Sequence, residues 1–159
     1  MNSFVKGVDQ INRLATWVVV IMTAVMSVII LAQVIFRYVL EAPLPWSEEV
    51  ARYLMVWGTF LGAGLGVRKR ALLGMEFVVN ILPKFPKRMV TGLVTIIQLI
   101  FLVVVFYYGI KMTMVTKSQL SAAMQISMAW AYSGIPVGIT LMFLNTIANA
   151  IEDRLGGAK

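Results

Sequence analysis

Three stretches of this chain run without a single Asp, Glu, Lys or Arg: residues 14–36, 89–110 and 118–151, which are 23, 22 and 34 residues long. A helix needs roughly 20 apolar residues to cross a hydrocarbon core, so each of the three is long enough. A fourth stretch, 53–67, has only 15 charge-free residues, so a span there must begin near Ser47. Composition agrees: 60% of residues are hydrophobic and 13% charged, and the mean hydropathy is +0.85, which does not fit a water-soluble domain. The expected fold is an all-α integral membrane protein, one membrane domain over 1–159, with four transmembrane helices at about 14–36, 47–67, 89–110 and 128–151. The first run is too long for a signal-peptide core and no small-residue cleavage pattern follows it, so it is expected to remain as an anchor.

Most of the distinctive chemistry lies between the first and third spans. Arg37 closes the first apolar run, and Pro43 and Pro45 interrupt helix in the connection that follows, because proline lacks an N–H and restricts the residue before it. Ser47 is suited to an N-cap, with Trp46 just before it and Glu48 and Glu49 in the electropositive first turn. Arg52 then falls about one turn inside the membrane helix, with Glu48 at i,i+4 in the favourable acid-first order. Two readings stand: Arg37, Glu48, Glu49 and Arg52 form a charge cluster that docks a partner protein, or Arg52 snorkels to headgroups or pairs internally. Gly58, Gly62 and Gly66 recur every four residues with Gly64 between them. Such a stripe admits another helix closely, within this chain or on a partner.

Two shorter segments carry amphipathic patterns. Residues 3–13 place Phe4, Val8 and Ile11 on one face, and residues 71–82 are apolar apart from Glu76 and Asn80. Both are too short to span and are expected along the membrane surface. Around the second lie Arg68, Lys69, Arg70, Lys84, Lys87 and Arg88, candidates for lipid headgroups. Pro136, between Gly134 and Gly138, is expected to bend the fourth span. Asn145 and Asn149 share a face of that span and are suited to bonding another helix.

Ten of the 14 Lys and Arg residues precede the first span, lie between the second and third, or follow the fourth. The positive-inside rule therefore puts both termini and the central basic connection in the cytoplasm, with Glu48 and Glu49 outward. The net charge of +7 reads as topology signals flanking spans and not as a nucleic-acid surface. The chain has no Cys and no His, which removes thiolate and imidazole ligation and thiol nucleophiles; no metal, cofactor or catalytic residue is expected.

Phe36-Arg37-Tyr38, Trp46-Ser47-Glu48-Glu49, Arg52, Trp57, Gly62, Arg68 and, in the fourth span, Ile135-Pro136-Val137-Gly138 together resemble the small membrane subunit of tripartite ATP-independent periplasmic (TRAP) transporters. The likeness covers nearly the whole chain. One departure is visible: family members often carry a histidine after the basic cluster, where this chain has none. The resemblance implies a four-helix scaffold in the bacterial inner membrane, bound to a large elevator-type subunit that holds the substrate and sodium sites. A periplasmic binding protein would deliver an organic acid, of the carboxylate or sialic acid class. The alternative is a self-contained small transporter acting as a homodimer. A membrane enzyme or haem subunit fits least, for want of histidine, cysteine and paired intramembrane carboxylates.

Overall fold

The computed structural model describes residues 3–70 and 84–156. The expected surface segment 71–82 lies outside them, as do the side chains of Lys84, Lys87 and Arg88. Four helices are long and apolar enough to cross a membrane, at Phe4–Tyr38, Pro45–Arg68, Met89–Ser118 and Ala129–Asp153.

Helix α1 (Ser3–Tyr38) is 36 residues long, about 54 Å at 1.5 Å per residue and well beyond a 30 Å core. Residues 3–13 are its first turns, continuous with the apolar run. Their buried face is Val5, Val8 and Asn12, while Phe4 and Ile11 are exposed. Further along, the less exposed positions include Val19, Met22, Met26, Ile29 and Gln33, steps of three and four that suit a shallow crossing with a neighbouring helix. The chain leaves α1 through Glu41, whose φ of 52° reverses its direction.

Helix α2 (Pro45–Arg68) begins two residues before the expected start, with Leu44 as its cap residue. Pro45 accounts for this: at the first helical position its fixed φ suits the helix and its missing N–H costs nothing. Ser47 is therefore inside the first turn and caps nothing; it is fully buried, and its hydroxyl donates to the Leu44 carbonyl at 2.7 Å.

Helix α3 (Lys84–Val115) runs on through a 3-10 turn, Thr116–Ser118. A hairpin follows, closed by an antiparallel bridge between Leu120 and Ser127, with Gln125 at φ 53° near its tip. The fourth span is divided. A single turn, α4 (Ala129–Tyr132), leads through Ser133 into α5 (Gly134–Gly156). The interruption falls one turn before Pro136, whose ring and missing N–H prevent a regular ladder back to that turn.

α5 is the central helix. It packs along α2 on one side and α3 on the other, while α1 packs on α2 and touches α5. The two glycines that open α5 let α2 approach. A Cβ on Gly138 would stand 2.5 Å from the Phe60 Cβ, and one on Gly134 would stand 2.9 Å from the Trp57 ring. Gly64 of α2 meets Leu141 in the same way, whereas Gly58 and Gly62 have nothing within 4 Å. Thus Gly64 belongs to the internal contact and Gly58 and Gly62 do not.

Candidate functional site

Polar side chains gather at the two ends of the α2–α5 pair. At the carboxyl end of α2, Arg68 is surrounded by acceptors from α1 and α5. Its Nε donates to Asp9 Oδ1 at 2.8 Å, and its two terminal nitrogens donate to the Glu152 carboxylate at 2.8 and 2.7 Å. Nη1 also donates to Asn149 Oδ1 at 2.6 Å. A planar guanidinium can serve three acceptors on two helices at once, and a two-pronged contact to carboxylate is among the stronger charge-assisted pairs. Arg70, at φ 52°, adds a 2.6 Å pair with Asp153. Both arginines had been expected at headgroups; the structure turns Arg68 into the protein and pairs Arg70 with α5, leaving Lys69 exposed.

One turn deeper, amides replace charges. Asn12 and Asn145 exchange hydrogen bonds, Nδ2 of each donating to Oδ1 of the other at 2.6 and 2.8 Å, and Asn145 also donates to the Gly64 carbonyl at 2.8 Å. Asn149 donates to the Val67 carbonyl at 2.8 Å, adding to the bond that this carbonyl accepts from the Arg70 N–H at the end of α2. Asn145 is fully buried, so each of these bonds stands in place of one to water. On the α3 side, Gln98 donates to Thr146 Oγ1 at 3.2 Å.

At the opposite end, Glu49 accepts the backbone N–H groups of Ala123 and Met124 at 2.7 and 3.0 Å, holding the hairpin down on α2. Two turns along the same face, Trp57 donates its indole N–H to the Trp130 carbonyl at 2.9 Å and fixes the α4 turn. Glu48 accepts from Gln33 of α1 at 3.1 Å and forms no pair with Arg52. Arg37 lies over its neighbour Tyr38, 5.9 Å from the ring centre, and Trp46 is exposed. Arg52 is exposed and makes no ion pair or hydrogen bond with the described residues. The cluster expected from Arg37, Glu48, Glu49 and Arg52 is thus dispersed, with each glutamate engaged elsewhere. A cleft of about 390 Å³ opens beside Arg52, between α2 and the hairpin residues Ala122 and Ala123.

Sequence reading missed Asp9, Asn12, Glu152 and Asp153. The available signal was spacing: Asp9 with Asn12, and Asn149 with Glu152, stand three apart at the ends of apolar runs, where they share a helix face. Nothing in the sequence alone says that these two faces meet.

Residues 26–156 match the family described as Tripartite ATP-independent periplasmic transporters, DctQ component. The chain is 28% identical over 147 residues to the sialic acid TRAP transporter permease protein SiaT of Haemophilus influenzae, covering 92% of this chain and 24% of that protein. It therefore spans about a quarter of that relative's length. It is also 25% identical over 145 residues to a putative TRAP transporter small permease protein of the same species, covering 91% of this chain and 84% of the relative.

Proposed function

The chain belongs to the DctQ-component family of tripartite ATP-independent periplasmic transporters, a transport component and not an enzyme, and from that membership we propose that it is the scaffold for a larger membrane subunit. The larger subunit carries the substrate and coupling-ion sites and moves against the scaffold. The pair lies in the bacterial inner membrane with both termini of this chain in the cytoplasm, and a periplasmic binding protein supplies an organic acid. Sodium drives uptake. The family match over residues 26–156 carries this reading, and the relative named for sialic acid supports a carboxylate-bearing substrate. The geometry supports a static role: Asn12, Asn145, Asn149 and Arg68, polar groups within the helix bundle, bond helix to helix.

Gentle detergent extraction at native expression tests the proposal. A larger, many-span protein should co-purify with this chain, and the chain reconstituted alone in liposomes should accumulate no organic acid under a sodium gradient. Recovery as a homodimer that transports by itself would overturn the scaffold reading.

A further inference from the structure

We infer that the larger membrane subunit packs on the exposed face of α2 that carries Arg52, Met55 and Thr59, and that an acidic side chain of that subunit meets Arg52; this rests on the subunit reading above. The exposed faces of the helices differ in kind. α1 turns out Ile21, Val25, Val28 and Leu31, with the Thr23 and Ser27 hydroxyls bonded back to carbonyls of the same helix, and α3 turns out Leu93, Ile97, Ile100 and Phe101, surfaces that lipid tails satisfy. α2 turns out Arg52, Met55 and Thr59, which lie within one arc of the helix.

Charge points the same way. Arg52 sits within a spanning helix and pairs with none of the described residues. The nearby carboxylates are engaged elsewhere, Glu49 with the hairpin backbone and Glu48 with Gln33. A cation in a membrane span calls for a counter-charge; Glu48 and Glu49 share its cleft, but among the described residues no carboxylate makes a direct ion pair with it.

Shape agrees with charge. On one flank of this face, a hollow of about 210 Å³ lies between α1 and α2, lined by Met22, Met26, Leu54, Met55, Gly58 and Thr59. The cleft beside Arg52 opens on the other flank. Within this arc the backbone of Gly62 is open to approach, as that of Gly58 is beside it. Helices in lipid associate through close packing because no hydrophobic drive separates them from the tails, and methionines adapt to the surface they meet. A ridge with a hollow on each side gives a partner helix such packing.

The test uses the assembled complex in native membranes, with a photo-crosslinking side chain placed at Thr59, Gly62, Val28 or Ile97. Thr59 and Gly62 should yield adducts with the larger subunit, and Val28 and Ile97 should yield none. Arg52→Glu should lower the larger subunit recovered per small subunit by about tenfold or more, and Arg52→Lys by less. Helix content and monodispersity of the small chain should be unchanged in both. Gly62→Leu, whose side chain enters space open in the chain alone, should also lower recovery. Adducts from Ile97 or Val28 but not from Thr59 would overturn this surface and leave the subunit reading standing. Undiminished recovery with Arg52→Glu and Gly62→Leu would do the same, making Arg52 a headgroup-seeking side chain. A wild-type chain that retains no larger protein would overturn the subunit reading, and this surface with it.

Discussion

Arg68 has more acceptors around it than a lysine could serve. Its guanidinium joins Asp9 of α1 to Asn149 and Glu152 of α5, so one side chain at the end of α2 ties three helices. Its side chain is 15% exposed while Asp9 and Glu152 are 45% and 40% exposed, which places the network between a surface pair, worth little, and a buried one, costly to break. Arg68→Ala should therefore cost about 1.5–3 kcal/mol, the range for hydrogen bonds to charged groups. Arg68→Lys should recover only part of that, because an ammonium cannot reproduce the fork. Thermal unfolding of the purified chain in detergent checks both, and a wild-type melting temperature for Arg68→Ala would show the network to be passive. Little of this was legible beforehand. Basic residues beside a span read as headgroup ligands by position alone, and the acids that claim Arg68 lie 59 and 84 residues away in sequence. Glu48 shows the converse: its local i,i+4 geometry toward Arg52 was legible, and a nonlocal donor, Gln33, took the carboxylate instead.

The helices themselves were legible because lipid enforces a length: an apolar run that must satisfy its own backbone hydrogen bonds has few alternatives to helix. Their ends were less so, as α2 shows by starting at Pro45. Least legible was which glycines pack. Spacing singled out Gly58 and Gly62, which have nothing within 4 Å, yet close contacts are made by Gly64, Gly109, Gly134 and Gly138, because closeness depends on the facing surface and not on the period of one helix. The α2–α5 seam gives a direct test. Gly138→Ala would put a methyl 2.5 Å from Phe60 Cβ and 2.6 Å from its backbone carbon, atoms that cannot swing aside, so the helices must part. Overpacking of this kind costs about 1–3 kcal/mol, and Gly138→Ala should lower the melting temperature measurably. Gly62→Ala, with nothing within 4 Å, should not lower the isolated chain's melting temperature, since alanine favours helix over glycine. Equal effects of the two would mean that α5 does not approach α2 as closely as described.

At the scale of the whole molecule, the two polar ends differ in how much basic charge they carry and in what they hold, and this bears on orientation. Lys69 and Arg70 stand at the end where α1 and α2 exchange contacts with the last turns of α5, whereas Glu49 and the hairpin stand at the other. Ten of the 14 basic residues fall on the Arg68 side by sequence, and the retention of Lys and Arg in the cytoplasm during insertion is the ground on which that side is proposed to face inward. The structure refines where orientation should be probed. Ser121, within the hairpin, is 2% exposed, so a cysteine there would report burial and not sidedness. Gln125 near the hairpin tip and Gln10 and Lys69 at the opposite end are all exposed, and the chain has no cysteine of its own to interfere. In intact cells an impermeant thiol reagent should label Gln125→Cys and leave Gln10→Cys and Lys69→Cys unlabelled until the membrane is opened. The reverse pattern would invert the molecule, placing Arg52 and its cleft on the cytoplasmic side, out of reach of any partner in the periplasm.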